Sequence, residues 1–252
     1  MMKMRMTIVG SGHGVPEANR KCSCIMIEEG ENLYFIDMGT SAMNALRDRG
    51  RSVESVRGIF ITHMHGDHTD GLVEFIDLIT WYFTDADPVV VLPDLRARDV
   101  LNDWLEVTQN GSSREIRYRR TQAGVVYDDH VLKVTAIPTQ HCEGSHAYLL
   151  ETENARVLCT GDLKDPSVDF PYVKGRLDCL ICECAHFPAT SYLPAFEKTD
   201  VDWICFTHYS PKRMQSLYEV RQKLVESGKT VTIATDNLEL DIQQHSPGHT
   251  LS

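Results

Sequence analysis

A stretch rich in histidine and aspartate, residues 57–71, constrains this chain more than any other part of its sequence. It reads Arg-Gly-Ile-Phe-Ile-Thr-His-Met-His-Gly-Asp-His-Thr-Asp-Gly. The apolar run 59–61 predicts a buried strand, and the apolar residues between 72 and 79 recur with the period of a helix. Four polar side chains, His63, His65, Asp67 and His68, are therefore predicted to lie on a tight turn from a strand to a helix.

Imidazoles and carboxylates are the side chains that bind zinc and similar divalent ions. Such a turn can direct His63 and His65 one way, and Asp67 and His68 another way from the start of the helix. Two pairs of ligands indicate two metal ions side by side. The alternative is a polar loop that only happens to contain histidines, and the density of the pattern argues against it.

Polar residues also follow other predicted strands. His141 stands in a loop that runs into a strand, Asp162 follows the apolar run 156–159, and His208 ends the run 203–207. In α/β folds, functional sites form at such strand ends. No linker rich in Pro, Gly and Ser interrupts the pattern. We therefore expect one α/β domain over residues 1–252, with two sheets flanked by helices.

Three smaller features carry further expectations. The glycine-rich turn 10–16 lets the backbone approach another group closely. Asp37, at the end of predicted strand 32–37, is a candidate to orient a metal-bound histidine, with an ordinary turn carboxylate as the alternative. Strand 230–234 is predicted to be the last, and the tail after Asn237 is expected to be loose.

Composition limits the classes of partner. The net charge of −11 over 252 residues argues against a general nucleic-acid binder. No apolar run approaches the length of a membrane span, and the first ten residues read as a strand rather than as a signal peptide. The eight cysteines are expected to be reduced, mostly buried thiols, with a metal knuckle at Cys179, Cys182 and Cys184 as the alternative. A cytoplasmic protein without membrane contact is the resulting expectation.

The set of ligand types resembles the metallo-β-lactamase superfamily: the central motif, a later lone histidine, an aspartate after an apolar strand, and a final histidine. The resemblance implies an αββα four-layer sandwich and two divalent ions, most often zinc, with manganese or iron as alternatives. It implies that a hydroxide between the ions is the nucleophile. It also implies three groups of ligands: His63, His65 and His141 for one ion, Asp67, His68 and His208 for the other, and Asp162 as the bridge.

A finer resemblance points to the endoribonuclease RNase Z and its phosphodiesterase relatives. It rests on Gly10-Ser11-Gly12 with Pro16 and Asn19-Arg20, on Phe35-Ile36-Asp37-Met38-Gly39, and on Thr207-His208-Tyr209-Ser210. Zinc β-lactamases usually carry a cysteine where Asp162 stands.

The sequence departs from the RNase Z pattern at two places. Asp162 follows His141 by only 21 positions, which leaves no room for the tRNA-clamping arm. Cys182 occupies the histidine position of the His-Glu-Ala-Thr motif, and His186, four residues later, is a candidate substitute, with an exposed loop histidine as the alternative.

The sequence thus predicts a hydrolase with a binuclear metal site, acting as a phosphodiesterase on small esters, with Asp67 and His186 as catalytic residues. Lys212 and Arg213 either bind the substrate anion or cover an exposed helix start. The alternatives are a lactonase, thioesterase or β-lactamase-like hydrolase, a tRNA-processing RNase Z, and a di-iron redox or sensor protein. A homodimer is the expected assembly.

Overall fold

Strands and helices alternate along the part of the chain that this computed structural model describes, residues 4–110 and 114–242. The strands are β1 (Met4–Gly10), β2 (Cys24–Glu29), β3 (Asn32–Met38), β4 (Val56–Phe60), β5 (Val89–Leu92), β6 (Arg117–Arg120), β7 (Gly124–Asp128), β8 (Lys133–Pro138), β9 (His146–Glu151), β10 (Arg156–Cys159), β11 (Cys179–Cys184), β12 (Trp203–Tyr209), β13 (Thr230–Ile233) and β14 (Leu238–Ile242). The α-helices are α1 (Ala42–Asp48), α2 (Gly66–Trp81), α3 (Arg96–Val107), α4 (Pro166–Asp169), α5 (Leu193–Phe196) and α6 (Met214–Glu226). Short 3₁₀ turns lie at Val53–Ser55, Ala189–Tyr192 and Pro211–Arg213.

The strands form two sheets, each with seven strands among the described residues. The first has the order β14-β1-β2-β3-β4-β5-β6, and the second β13-β12-β11-β10-β9-β8-β7. Strands β3 to β6 are parallel in the first sheet, and β10 to β13 are parallel in the second. Neighbouring parallel strands place their carboxyl ends at the same edge of the sheet. Each sheet therefore offers one edge at which polar side chains from several strands can meet.

Side chains along each strand alternate between the two faces of its sheet, and this alternation produces the layers of the fold. Met6 of β1 and Tyr34 of β3 enter a core shared with Tyr148 and Val157 of the second sheet. On the other face of the first sheet, residues such as Phe35 pack with the apolar sides of α1, α2 and α3. Helices α5 and α6 cover the outer face of the second sheet. The predicted αββα sandwich is confirmed. No helix in the described ranges combines the length and apolarity that crossing a bilayer requires.

The prediction of a loose tail after Asn237 is wrong for residues 238–242. They form β14, which pairs antiparallel with β1 from Leu238 opposite Ile8 to Ile242 opposite Met4. Leu240 and Ile242 are buried while Glu239 and Asp241 are exposed, so the segment alternates as a strand should. The tail from residue 243 onward lies outside the described residues.

Close backbone contact places the start of α2 against the end of β3. A methyl group on Gly71 would stand 2.1 Å from the backbone oxygen of Thr40, and one on Gly39 would stand 1.6 Å from that of Asp67. Only glycine permits this approach at either position. The first turn of α2, which carries Asp67 and His68, therefore lies directly beside Asp37 on β3.

Candidate metal centre

The strand-to-helix turn after β4 directs its ligand-type side chains in two directions, as predicted. His63 and His65 lie on extended backbone that ends at His65, where α2 begins. Asp67 and His68 lie in the first helical turn. His63 and His68 are buried, whereas His65 is exposed. The change from extended to helical backbone separates the two pairs.

The first group of ligand-type residues consists of His63, His65 and His141. The Nδ1 atom of His65 lies 3.0 Å from Nε2 of His63 and 3.2 Å from Nε2 of His141. Burial lowers the pKa of His63 to about 2, and burial also lowers the pKa of His141. Both rings are therefore neutral near pH 7, which is the form that binds a metal ion.

The second group consists of Asp67, His68 and His208. The Nε2 atom of His208 lies 3.1 Å from Oδ2 of Asp67 and 3.2 Å from Nε2 of His68. Burial acts to raise the pKa of the Asp67 carboxyl, but hydrogen bonds with His208 and His68 outweigh it and lower that pKa. Asp67 is therefore ionised, and its carboxylate can act as an anionic ligand.

Asp162 stands between the two groups and is 3% exposed. Its Oδ2 lies 3.7 Å from Nε2 of both His63 and His141, and its Oδ1 lies 3.5 Å from Nε2 of His68. Burial opposes its ionisation, but the charges of His208 and His68 hold its pKa well below the usual range. One carboxylate oxygen thus faces each group.

Asp37 orients His68, a member of the second group, through the ring nitrogen that does not face His208. Its carboxylate accepts hydrogen bonds from the backbone and the hydroxyl of Thr62, at 2.7 and 2.9 Å, and its Oδ2 lies 2.7 Å from Nδ1 of His68. This contact engages Nδ1 and turns Nε2 of His68 toward His208. Burial would lower the pKa of His68, but the carboxylates of Asp162 and Asp37 raise it well above the usual value. Of the two interpretations of Asp37, the structure supports the orienting role.

The donor set fits divalent metal ions. Nitrogen and carboxylate ligand atoms lie within 4.8 Å of one another in the groups His63–His65–His141, Asp67–His68–His208 and His63–His68–Asp162. The buried Oδ1 of Asp162 has no hydrogen-bond partner among the described residues. Burying a carboxylate in this way is costly unless it is paired or coordinates a cation. All seven residues predicted as ligands are thus brought together at one place.

His186 lies at the rim of the same cluster, with its side chain 38% exposed. Its Nδ1 lies 2.8 Å from Oε1 of Glu183 and 3.8 Å from Oδ2 of Asp162, and its ring is 4.5 Å from that of His141. The hydrogen bond with Glu183 raises the pKa of His186. Cys182, by contrast, is fully buried in the apolar core under the second sheet.

The sequence alone did not indicate how several further residues hold this site. Glu183 lies near the end of β11, and its carboxylate contacts His186 and accepts a hydrogen bond from the backbone of Leu163. Arg20 donates to the backbone oxygen of Tyr209 at 2.7 Å and lies 3.8 Å above its ring, directly after His208. The glycine turn approaches Asp67, since a methyl group on Gly14 would stand 2.9 Å from Oδ2. In the sequence these residues stand at a polar strand end, in the Asn19-Arg20 pair and in the glycine-rich turn 10–16.

Replacing Asp37 with asparagine should weaken binding of divalent metal by about 10- to 100-fold, the usual effect of losing a group that orients a ligand. Asparagine tolerates the left-handed backbone found at Asp37 (φ 58°), so the change removes the negative charge and one of the two acceptor oxygens that Thr62 and His68 share. The measurement is titration of chelator-stripped protein with Zn²⁺ against a competing chelator. Asp70→Asn, on the exposed side of α2, is the matched control. Equal affinity in the two variants would contradict the orienting role.

Comparison with known proteins agrees with the fold. Ribonuclease Z of Leuconostoc mesenteroides is 25% identical over 179 residues, which are 69% of this chain and 56% of that protein. The chain thus spans about half the length of the curated relatives it matches. The metallo-β-lactamase fold protein YhfI from Bacillus subtilis superposes with a TM-score of 0.71 at 16% identity, covering 95% of this chain and 99% of that one. Unliganded yeast PDE1 gives 0.70 at 12% identity, covering 96% and 100%.

These likenesses at low identity show that the chain has the metallo-β-lactamase fold. The family model described as anti-Pycsar protein Apyc1 matches residues 4–231. This match includes both groups of ligand-type side chains, Asp162 and His186. Since the match extends over most of the 252 residues, the chain belongs to the family of the anti-Pycsar protein Apyc1.

Proposed function

We propose that the chain is a hydrolase with a binuclear metal site, and that it cleaves phosphodiester bonds in small molecules such as cyclic nucleotides. The observation that carries this proposal is the position of Asp162. One oxygen of its buried carboxylate faces His63 and His141, and the other faces His68 and His208. Two neighbouring cations require an anionic ligand between them that shares its negative charge with both. Asp162 has this charge and lies between the two ligand groups.

Each group of side chains has a distinct task in this proposal. His63, His65 and His141 would hold one divalent ion, and Asp67, His68 and His208 the other, with zinc, manganese or iron as the metal. Two such ions supply Lewis acidity, which activates water and offsets charge on the attacked phosphate and the leaving oxygen. Asp67 is ionised and half-buried at this point, and we assign it the further role of accepting a hydrogen bond from the attacking water.

Two observations support a small substrate over tRNA. The chain between His141 and Asp162 forms only β9, a four-residue connection and β10, which pair antiparallel, so the RNase Z arm has no counterpart there. The net charge of −11 also disfavours a long polyanion. The name of the ribonuclease Z relatives denotes cleavage of a phosphodiester in RNA, which supports this bond type over a lactone or thioester.

His186 is proposed to protonate the leaving oxygen. Its Nδ1 is engaged by Glu183, so Nε2 is the nitrogen that can deliver a proton. The raised pKa of His186 keeps the ring protonated closer to neutral pH, as a general acid requires. Its ring lies beside that of His141 and its Nδ1 is 3.8 Å from Oδ2 of Asp162, which supports a role at the proposed metal site.

The substrate class is tested with a panel of compounds. Chelator-stripped protein, supplied with Zn²⁺, Mn²⁺ or Fe²⁺, should hydrolyse bis-nitrophenyl phosphate and 3′,5′-cyclic nucleotides. Asp162→Asn should lower that rate by at least about a hundredfold, since charge stabilisation at a reacting centre is worth 10²–10³. Precursor tRNA, an acyl-homoserine lactone and an acylglutathione complete the panel. Activity on the lactone or thioester alone, or activity that a chelator leaves intact, would show that the proposal is wrong.

The role of His186 is tested with His186→Asn, which can still hydrogen-bond Glu183 but cannot act as an acid. The rate should fall by roughly two to four orders of magnitude for phosphodiesters with poor leaving groups and only slightly for nitrophenolate, which leaves without protonation. Metal content should be unchanged. His130→Asn, at an exposed turn, is the control. A loss that is the same for both kinds of leaving group would indicate a role other than proton donation.

A further inference from the structure

The loop after β11, residues 185–189, carries His186 and is fastened on one side by Glu183. The Oε2 of Glu183 accepts hydrogen bonds from the backbone of Ala185 at 2.7 Å and of His186 at 3.3 Å, while its Oε1 contacts the His186 ring. Glu183 is 2% exposed and is fixed in turn by the backbone of Leu163 at 3.0 Å. Glu183 thus fixes the start of the loop to the strand from which it emerges.

A second set of hydrogen bonds to this loop comes from the start of α6, about 27 residues later in the chain. The guanidinium of Arg213 donates from Nε to the backbone oxygen of Ala185 at 3.1 Å and from Nη2 to that of His186 at 3.0 Å. The hydroxyl of Ser216 accepts from the backbone of Ala189 at 3.1 Å and donates to the backbone oxygen of Arg213 at 2.8 Å. Arg213 and Ser216 at the start of α6 therefore form hydrogen bonds with both ends of the loop.

We infer that Arg213 is a positioning residue for His186, rather than a group that binds the substrate anion. This inference rests on the proposed function of His186 as the general acid. A planar guanidinium that donates to two successive carbonyl oxygens fixes the two peptide groups to which those oxygens belong. These two peptide groups flank the α-carbon of His186, so their orientation sets the direction of the imidazole. Two of the donors of Arg213 are already engaged in these bonds.

The two roles of Arg213 predict different kinetics. A residue that binds the phosphate contributes to affinity for every substrate, so its loss raises KM whatever the leaving group. A residue that positions the acid contributes only where the leaving oxygen needs a proton, so its loss lowers kcat for poor leaving groups. A displacement of about 1 Å in a catalytic group can reduce the rate about 10²-fold.

The experiment compares Arg213→Ala, Arg213→Lys and Lys212→Ala on a series of aryl and alkyl phosphodiesters that differ in leaving-group pKa. Arg213→Ala should lower kcat by about 10- to 100-fold for the poorest leaving groups and by less than about twofold for nitrophenolate, with KM nearly unchanged. Arg213→Lys should be intermediate, because an ammonium group lacks the two-pronged geometry. Lys212→Ala removes the same charge from the adjacent, exposed residue and should not change the leaving-group dependence.

A double-variant test separates this inference from the proposal on which it rests. In the His186→Asn background, Arg213→Ala should add less than about a twofold loss, because the group it positions is gone. Added guanidinium should restore part of the kcat of Arg213→Ala but not of the double variant. If His186→Asn alone costs nothing, the acid role of His186 is wrong.

If His186→Asn is impaired while Arg213→Ala matches the unchanged protein, the positioning role is wrong. A uniform rise of KM across the series would show instead that Arg213 binds the substrate. Circular dichroism and metal content per chain are measured for each variant. If Arg213→Ala does not fold, Arg213→Lys and Arg213→Gln decide the question by the same leaving-group dependence.

Discussion

The buried negative charge of Asp162 is the constraint on which the rest of the structure depends. Its oxygens lie 3.5 to 3.8 Å from nitrogens of five imidazoles, those of His63, His68, His141, His186 and His208. A carboxylate taken out of water costs several kcal/mol unless charges of opposite sign compensate it. In the protein alone this compensation falls to histidines whose protons it attracts, and divalent cations would provide it more completely.

The fold delivers these groups by aligning strand ends from both sheets. Asp37 and His63 come from the carboxyl ends of β3 and β4, whereas Asp162 and His208 come from those of β10 and β12. Apolar residues on both faces hold the strands rigid, so the site has a fixed frame. The loops above it, which carry His141 and His186, are held by side-chain hydrogen bonds instead. For the loop that carries His186, the residue we propose as the general acid, these bonds come from Glu183 and Arg213.

The cluster of ligand-type side chains could be predicted from the sequence because four of them stand within six residues and the others follow apolar runs. The sandwich could be predicted because strands buried on both faces read as apolar runs that alternate with helices. Strand β14 was overlooked although its residues alternate, because its partner β1 is more than 200 residues away. The contacts of Arg213 could not be predicted, since a side chain that binds backbone oxygens leaves no periodic pattern in sequence. For the same reason, its positive charge beside the site was open to interpretation as a phosphate-binding group.

Anomalous X-ray diffraction from crystals of protein purified without chelator tests the central claim most directly. Data collected at the absorption edges of zinc, manganese and iron identify each ion and its place. Two peaks are expected about 3.5–4 Å apart, one among His63, His65 and His141 and the other among Asp67, His68 and His208, with Asp162 touching both. A single peak, peaks elsewhere, or none after the protein is supplied with these metals would contradict a binuclear site.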